Sequence, residues 1–192
     1  MYESNLAYSF SPKEVDWNGY ASAKKNEDHY SILKSCNSKI IETLSSGETL
    51  HLSESRFFLL NEKNRKVIYS VTFKRNRLNL DNKPIETVSQ IRVWRDRTEI
   101  STKDIASKIF FEHLLPSSEL IVSDGTHTEA GKIFWELRIT DAFAKGLAVC
   151  VVNMNKKETT ILADIESYRQ SVPDCYGTHD KFSAFKYGIY RK

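Results

Sequence analysis

A chain of 192 residues, 40 % hydrophobic and 28 % charged with a formal charge of +3, suits one globular domain or a domain with a small appendage. No apolar run approaches the about 18 residues needed to span a membrane. The start Met1-Tyr2-Glu3-Ser4 carries no basic segment followed by an apolar one, and Cys36, Cys150 and Cys175 are far apart and odd in number, so a soluble cytoplasmic protein without membrane, disulfide framework or metal site is expected.

The first 25 residues alternate aromatic and polar types and suggest no element. From about Glu27, the positions Tyr30, Leu33, Cys36, Ile40, Ile41 and Leu44 recur at steps of three and four, predicting an amphipathic helix with Gly47 as its stop. Strands are expected at 50–53, 56–61 and 66–75, the last two joined by a hairpin connection at 62–65. A polar connection containing Pro84 leads to a strand at 87–95, with Val88, Ile91, Val93 and Trp94 as its apolar content. Ser101-Thr102-Lys103-Asp104 has the spacing of a capping box, and Ile105, Ala106, Ile109, Phe110 and Leu114 form a helical stripe ended by Pro116.

A second box, Thr126-His127-Thr128-Glu129, opens a helix at 128–145 that is apolar on two sides and therefore expected to be packed on both; Gly146 ends it. A short helix at 161–170, a loop at 173–180 and a strand at 182–190 complete the chain. The runs Leu120-Ile121-Val122 and 147–152 flank the long helix and are continuously apolar, which predicts parallel strands, adjacent or near-adjacent, in a sheet covered on both faces. Ligands of such sheets bind beyond the carboxyl ends of the strands, where Ser123, Asp124 and Asn153 fall. There Asp124 and His127 form a candidate base and its orienter, with Glu99 a further candidate base toward an amine. Cys150, inside an apolar strand, reads as a small hydrophobe.

The order from residue 56 onward is hairpin, strand, helix, strand, helix, strand, short helix, strand. That order, and Ile121-Val122-Ser123-Asp124 followed by Thr128, Gly131 and Trp135, resembles the GNAT superfamily of N-acetyltransferases, including GNAT-like proteins encoded by phages. The resemblance, over roughly residues 56–191, implies an α/β fold, a mixed central sheet with flanking helices in GNAT-like topology; residues 49–192 are read as that domain, with residues 1–48 a helical region packed on the core. It implies acetyl-CoA or another acyl-CoA, its phosphates held by Arg95, Arg97, Ser101, Thr102 and Lys103, and an acyl group moved to an amine of a protein or small molecule. The family's Arg/Gln-x-x-Gly-x-Gly/Ala loop corresponds here to Arg97-Thr98-Glu99-Ile100-Ser101-Thr102, which has no glycine. The helix that in this family often offers a tyrosine acid has none between residues 126 and 145. The alternative is a GNAT-like protein without catalysis, a phage modulator of host machinery.

Charge supplies the surface for that alternative. Ten basic residues against three acids from Lys63 to Arg97 make that segment +7 and leave the rest of the chain at −4. An anionic partner, a nucleic acid or an acidic host protein, is expected on Lys63, Arg65, Lys66, Lys74, Arg75 and Arg77.

Overall fold

The computed structural model describes residues 23–96, 98–99, 102, 104–123, 129–176 and 184–191. They form a mixed α/β structure of nine mostly antiparallel strands and four helices. The chain divides into two compact units, Met1–Phe73 with Ile91–Ala106, and Lys74–Gln90 with Ser107–Lys192. No single cut near residue 48 makes this division, because β4 (Lys66–Leu80) and β5 (Lys83–Arg95), the arms of one long hairpin, each run through both units.

In the first unit α1 (Ala23–Ser35) is followed by β1 (Lys39–Thr43), β2 (Thr49–Ser53) and β3 (Arg56–Asn61), and the strands run β1-β2-β3-β4-β5. The helix expected to continue to Gly47 stops at Ser35. Ile40 and Ile41 lie in β1, where β-branched residues suit an extended backbone and Ile40 pairs with His51. Gly47, at φ +95°, belongs to the β1–β2 turn, in which its N–H donates to Leu44 O and the Leu44 N–H to Glu48 O. The register slips between Leu59 and Leu60, so β3 and β4 meet irregularly at Ile68. Beside this slip the Asn26 carboxamide of α1 accepts from Val67 N at 2.8 Å and donates to Val67 O at 3.0 Å, fastening helix to sheet. Tyr30 and Leu33 then pack on Phe58, Leu60 and Val67, with Cys36 and Trp94 at the margin.

The polar connection expected before residue 87 is strand. Asp81 (φ 49°) and Asn82 (φ 61°) form a two-residue turn with both residues left-handed, the geometry whose twist matches a β-hairpin. The tip is anchored in the second unit: the Asp81 N–H donates to Lys157 O, and the Asp81 carboxylate accepts from the Thr159 N–H (3.1 Å) and hydroxyl. Leu78, Leu80 and Ile85 consequently pack on Leu120, Val122, Cys150 and Val152.

α2 (Ile105–Lys108, widening to a π-helical turn at Ile109–Leu114 and tightening to a 3-10 turn at Leu115–Ser117) starts in the first unit and continues into the second, which adds β6 (Leu120–Val122), α3 (Glu129–Ala144), β7 (Ala148–Asn153), β8 (Glu158–Leu162), α4 (Ile165–Tyr176) and β9 (Phe185–Tyr190). Its strands run β4-β5-β6-β9-β7-β8. β6 and β7 are not direct neighbours: β9 lies between them, antiparallel to both, while the parallel partner of β6 is β5. The last strand returns into the space that a simple crossover would have closed. Gly146, at φ +69°, ends α3 in a Schellman arrangement, its N–H on Phe143 O and the Leu147 N–H on Ala142 O. Trp135, Ile139 and Ala142 are buried, whereas Ile133 and Leu137 are 57 % and 54 % exposed, so α3 is packed on one apolar stripe and not on two. Ile161 belongs to β8; α4 starts after Asp164, whose carboxylate caps it through the Ser167 N–H, and continues through Pro173, where a loop was expected.

Candidate functional site

The loop leaving β5 is built from its own polar groups. The Asp96 carboxylate accepts from the Thr98 N–H and hydroxyl, and the Asp96 N–H continues the hairpin ladder to Ile68 O. Thr102 is 1 % exposed. Its Oγ1 accepts from Arg95 Nε at 2.7 Å, its hydroxyl hydrogen lies between the carbonyls of Glu99 (2.7 Å) and Asp96 (3.2 Å), and its N–H donates to Glu99 O. Arg95 is exposed but braced by this threonine. Glu99 stands 3.5 Å from Lys66 Nζ as an ion pair. Asp104, expected to complete a capping box, is left-handed at φ 63° just before α2 and so outside the helical turn that a box requires. Arg97, Ser101 and Lys103 of the expected phosphate site lie outside the described residues, as do Asp124, His127 and the second box through Thr128.

β5 also carries a polar group of note in the second unit. Only three parallel pairs join β5 to β6, ending at Ser89 with Val122, and β5 continues to Arg95 with no described strand on that outer edge. At the point of departure Gln90 is 6 % exposed, and neither its Nε2 nor its Oε1 has a hydrogen-bond partner. A buried amide left unpaired costs the desolvation of its polar groups, so such an atom pair invites a ligand or water.

The other strand-end polar residues have structural employment. Ser123 clips β6 to β9, its N–H on Tyr187 O (2.8 Å) and its Oγ accepting from Tyr187 N (3.0 Å). Asn153 accepts the N–H groups of Asn155 and Lys156 in the β7–β8 turn. The Ser171 hydroxyl donates to Tyr168 O, so the Tyr187 hydroxyl donates to Ser171 across 3.0 Å; burial holds Tyr187 far above the ordinary tyrosine range. Cys150 is 1 % exposed and burial pushes its thiol up to about 12, which makes it the small hydrophobe its strand suggested.

The six basic residues divide three and three between the units. In the first, Arg65 pairs with Glu27 at 3.0 Å and lies over the Tyr30 ring, Lys66 pairs with Glu99, and Lys63 is exposed. In the second, Arg75 holds Ser117 at the end of α2 through two bonds, Arg77 faces Glu86 at 3.6 Å, and Lys74 is exposed on the opposite strand face from both.

A further constellation escaped sequence reading. On β2 the period of two puts Thr49 and His51 on one face, and their partners Leu60 and Phe58 put that face under α1. Glu62, two residues past Leu60, accepts from Tyr30 Oη (2.6 Å), Lys34 Nζ (2.7 Å) and Thr49 Oγ1 (3.1 Å). Burial pushes the Glu62 carboxyl up, but the bonds from Lys34, Tyr30 and Thr49 outweigh it and hold the group below the usual range, so it is ionised at neutral pH. An ionised carboxylate only accepts, which spends the one proton of Thr49. Thr49 Oγ1 must then accept from His51 Nε2–H at 2.9 Å, leaving Nδ1 bare to accept from the Ser38 hydroxyl at 3.1 Å. His51 is 4 % exposed and stacked on Phe58; burial and the Lys34 charge lower its pKa, with Glu62 opposing. The alternation Thr49-Leu50-His51-Leu52 was the signal that could have found it.

No protein-family model matches this chain, and a search of curated proteins gives no match.

Proposed function

We propose that the chain is a GNAT-like acyltransferase that moves an acyl group from acyl-CoA to an amine of a protein or small molecule. The observation that carries the reading is the succession of the β3–β4 hairpin, β5, α2, β6, α3, β7 and β9, the order in which this family sets its strands and helices, β8 and α4 being additions. Exposed Arg95 at the end of β5 fits the phosphates of acyl-CoA, and Arg97, Ser101 and Lys103 would complete the phosphate contacts. Acyl-CoA supplies the acyl group as a thioester. The protein's part is to hold the amine in line and to take its proton, for which Glu99, Asp124 and His127 are the candidates.

One observation favours the second reading, a GNAT-like protein that binds a host protein or nucleic acid without catalysis: Thr102 has spent both its hydroxyl and its N–H inside the loop where phosphate donors are wanted. Calorimetry with acetyl-CoA separates the two. The enzyme reading expects saturable binding that Arg95→Ala weakens about tenfold or more, the loss of one charge-assisted hydrogen bond. No heat at high micromolar acetyl-CoA removes it and leaves the binding protein.

A further inference from the structure

We propose that Ser38 is a nucleophilic serine, with His51 as its base, that accepts acyl groups from small carboxylic esters. The proposal rests on the directed chain Ser38 O–H to His51 Nδ1, His51 Nε2–H to Thr49, Thr49 O–H to the Glu62 carboxylate. It is independent of the acyl-CoA reading. A serine hydroxyl is a weak nucleophile until a base within hydrogen-bond reach takes its proton and a third group orients that base. Here the bond polarity is fixed by the ionised Glu62 at the far end, so the imidazole lone pair can face only Ser38. Ser38 lies between α1 and β1 and is half-exposed, while His51 behind it is buried. An electrophile from solvent therefore meets the hydroxyl and not the base.

In the step, Ser38 Oγ attacks the ester carbonyl carbon, the Oγ–C bond forms and the bond to the leaving alcohol's oxygen breaks. The hydroxyl proton passes to His51 Nδ1 and from there to the departing alkoxide, giving acyl-Ser38 and a neutral alcohol. Water, deprotonated by the same Nδ1, then attacks the acyl carbon; the bond to Ser38 Oγ breaks, the imidazolium returns the proton to Oγ, and the carboxylic acid leaves. Thr49 and Glu62 are positioning residues: they hold the tautomer, and the carboxylate steadies the imidazolium through the threonine. The charged groups facing His51 are Lys34, which disfavours its protonation, and Glu62, which favours it; Tyr30, whose hydroxyl donates to Glu62, stays neutral.

The test is labelling of the full chain with a fluorophosphonate probe, site mapping by mass spectrometry, and hydrolysis of p-nitrophenyl acetate. The adduct is expected on Ser38, and Ser38→Ala, which removes only a half-exposed hydroxyl, should abolish it. The labelling rate of the wild-type chain needs no variant: it should rise to a plateau with a midpoint below the ordinary imidazole value of 6.5, since burial lowers His51. His51→Gln should lower the rate at least about a hundredfold, within the usual range for a positioned base. Glu62→Gln should lower it and move the midpoint to lower pH; a merely structural Glu62 would leave the midpoint in place. No adduct on Ser38, or a rate that climbs about tenfold per pH unit without a plateau as free hydroxyls do, overturns the proposal.

Discussion

Trp135→Ala is expected to lower the free energy of unfolding by about 3 to 5 kcal/mol, as truncation of a large buried aromatic removes both its burial and its contacts. Trp135 is 3 % exposed and sits edge-on to Phe110, with centroids 5.7 Å apart at 83°, and to Phe134 at 6.4 Å and 84°. The indole thus ties α3 to the π-helical turn of α2. Denaturant unfolding followed by far-UV circular dichroism measures the loss. Leu137→Ala, two residues along the same helix but 54 % exposed, serves as the control and should change stability by no more than about 0.5 kcal/mol. Equal losses for the two would mean that α3 packs on both stripes.

Gly188→Val should cost about 1 to 3 kcal/mol or more, because it overpacks a close approach between strands. A Cβ on Gly188 would meet Cys150 Sγ and Leu120 Cδ1 at 2.8 Å each. Those atoms belong to β7 and β6, so the glycine is needed only because β9 lies between them, and the variant reports on that insertion. Thermal unfolding with a Tm lowered by several degrees is the expected result. An unchanged Tm would place β9 at the margin of the unit instead.

Where side-chain periodicity and strand chemistry agreed, the elements were legible. β3 was expected at the residues it occupies, β6 and β7 followed from their continuous apolar runs, and Gly146 stopped α3 where a left-handed residue was anticipated. The failures have a common physical origin in residues whose spacing satisfies two periods. Ile40, Ile41 and Leu44 continue the helical steps of α1, but the branched pair also suits an edge strand, and pairing to β2 decided the matter. The β4–β5 hairpin was cut short because Leu78, Leu80 and Ile85 stand among polar residues from 76 to 86; its turn chemistry lies in Asp81-Asn82, and its strands are stabilised by partners far along the chain, such as Thr159 for Asp81. The position of β9 is a tertiary fact that no local pattern records.

The candidate site was legible only in part. Arg95 and Thr102 were singled out and do meet, but they meet each other, because a threonine hydroxyl near carbonyl groups is more readily satisfied by its own loop than kept for a ligand. Glu99 was read as a free base and stands against Lys66, a pairing that needed the fold of the β3–β4 turn to bring them together. Ser38, His51, Thr49 and Glu62 went unread because they converge from a helix exit and two strands rather than from one motif.

The acyltransferase reading is tested most directly by amide hydrogen exchange of the full chain with and without saturating acetyl-CoA. If acetyl-CoA is held where Arg95 ends β5, amides of residues 95–104 should slow markedly on its addition, while those of β1 and β8 remain as they were. Unchanged exchange across residues 95–104 at a concentration of acetyl-CoA that calorimetry shows to be bound would contradict it.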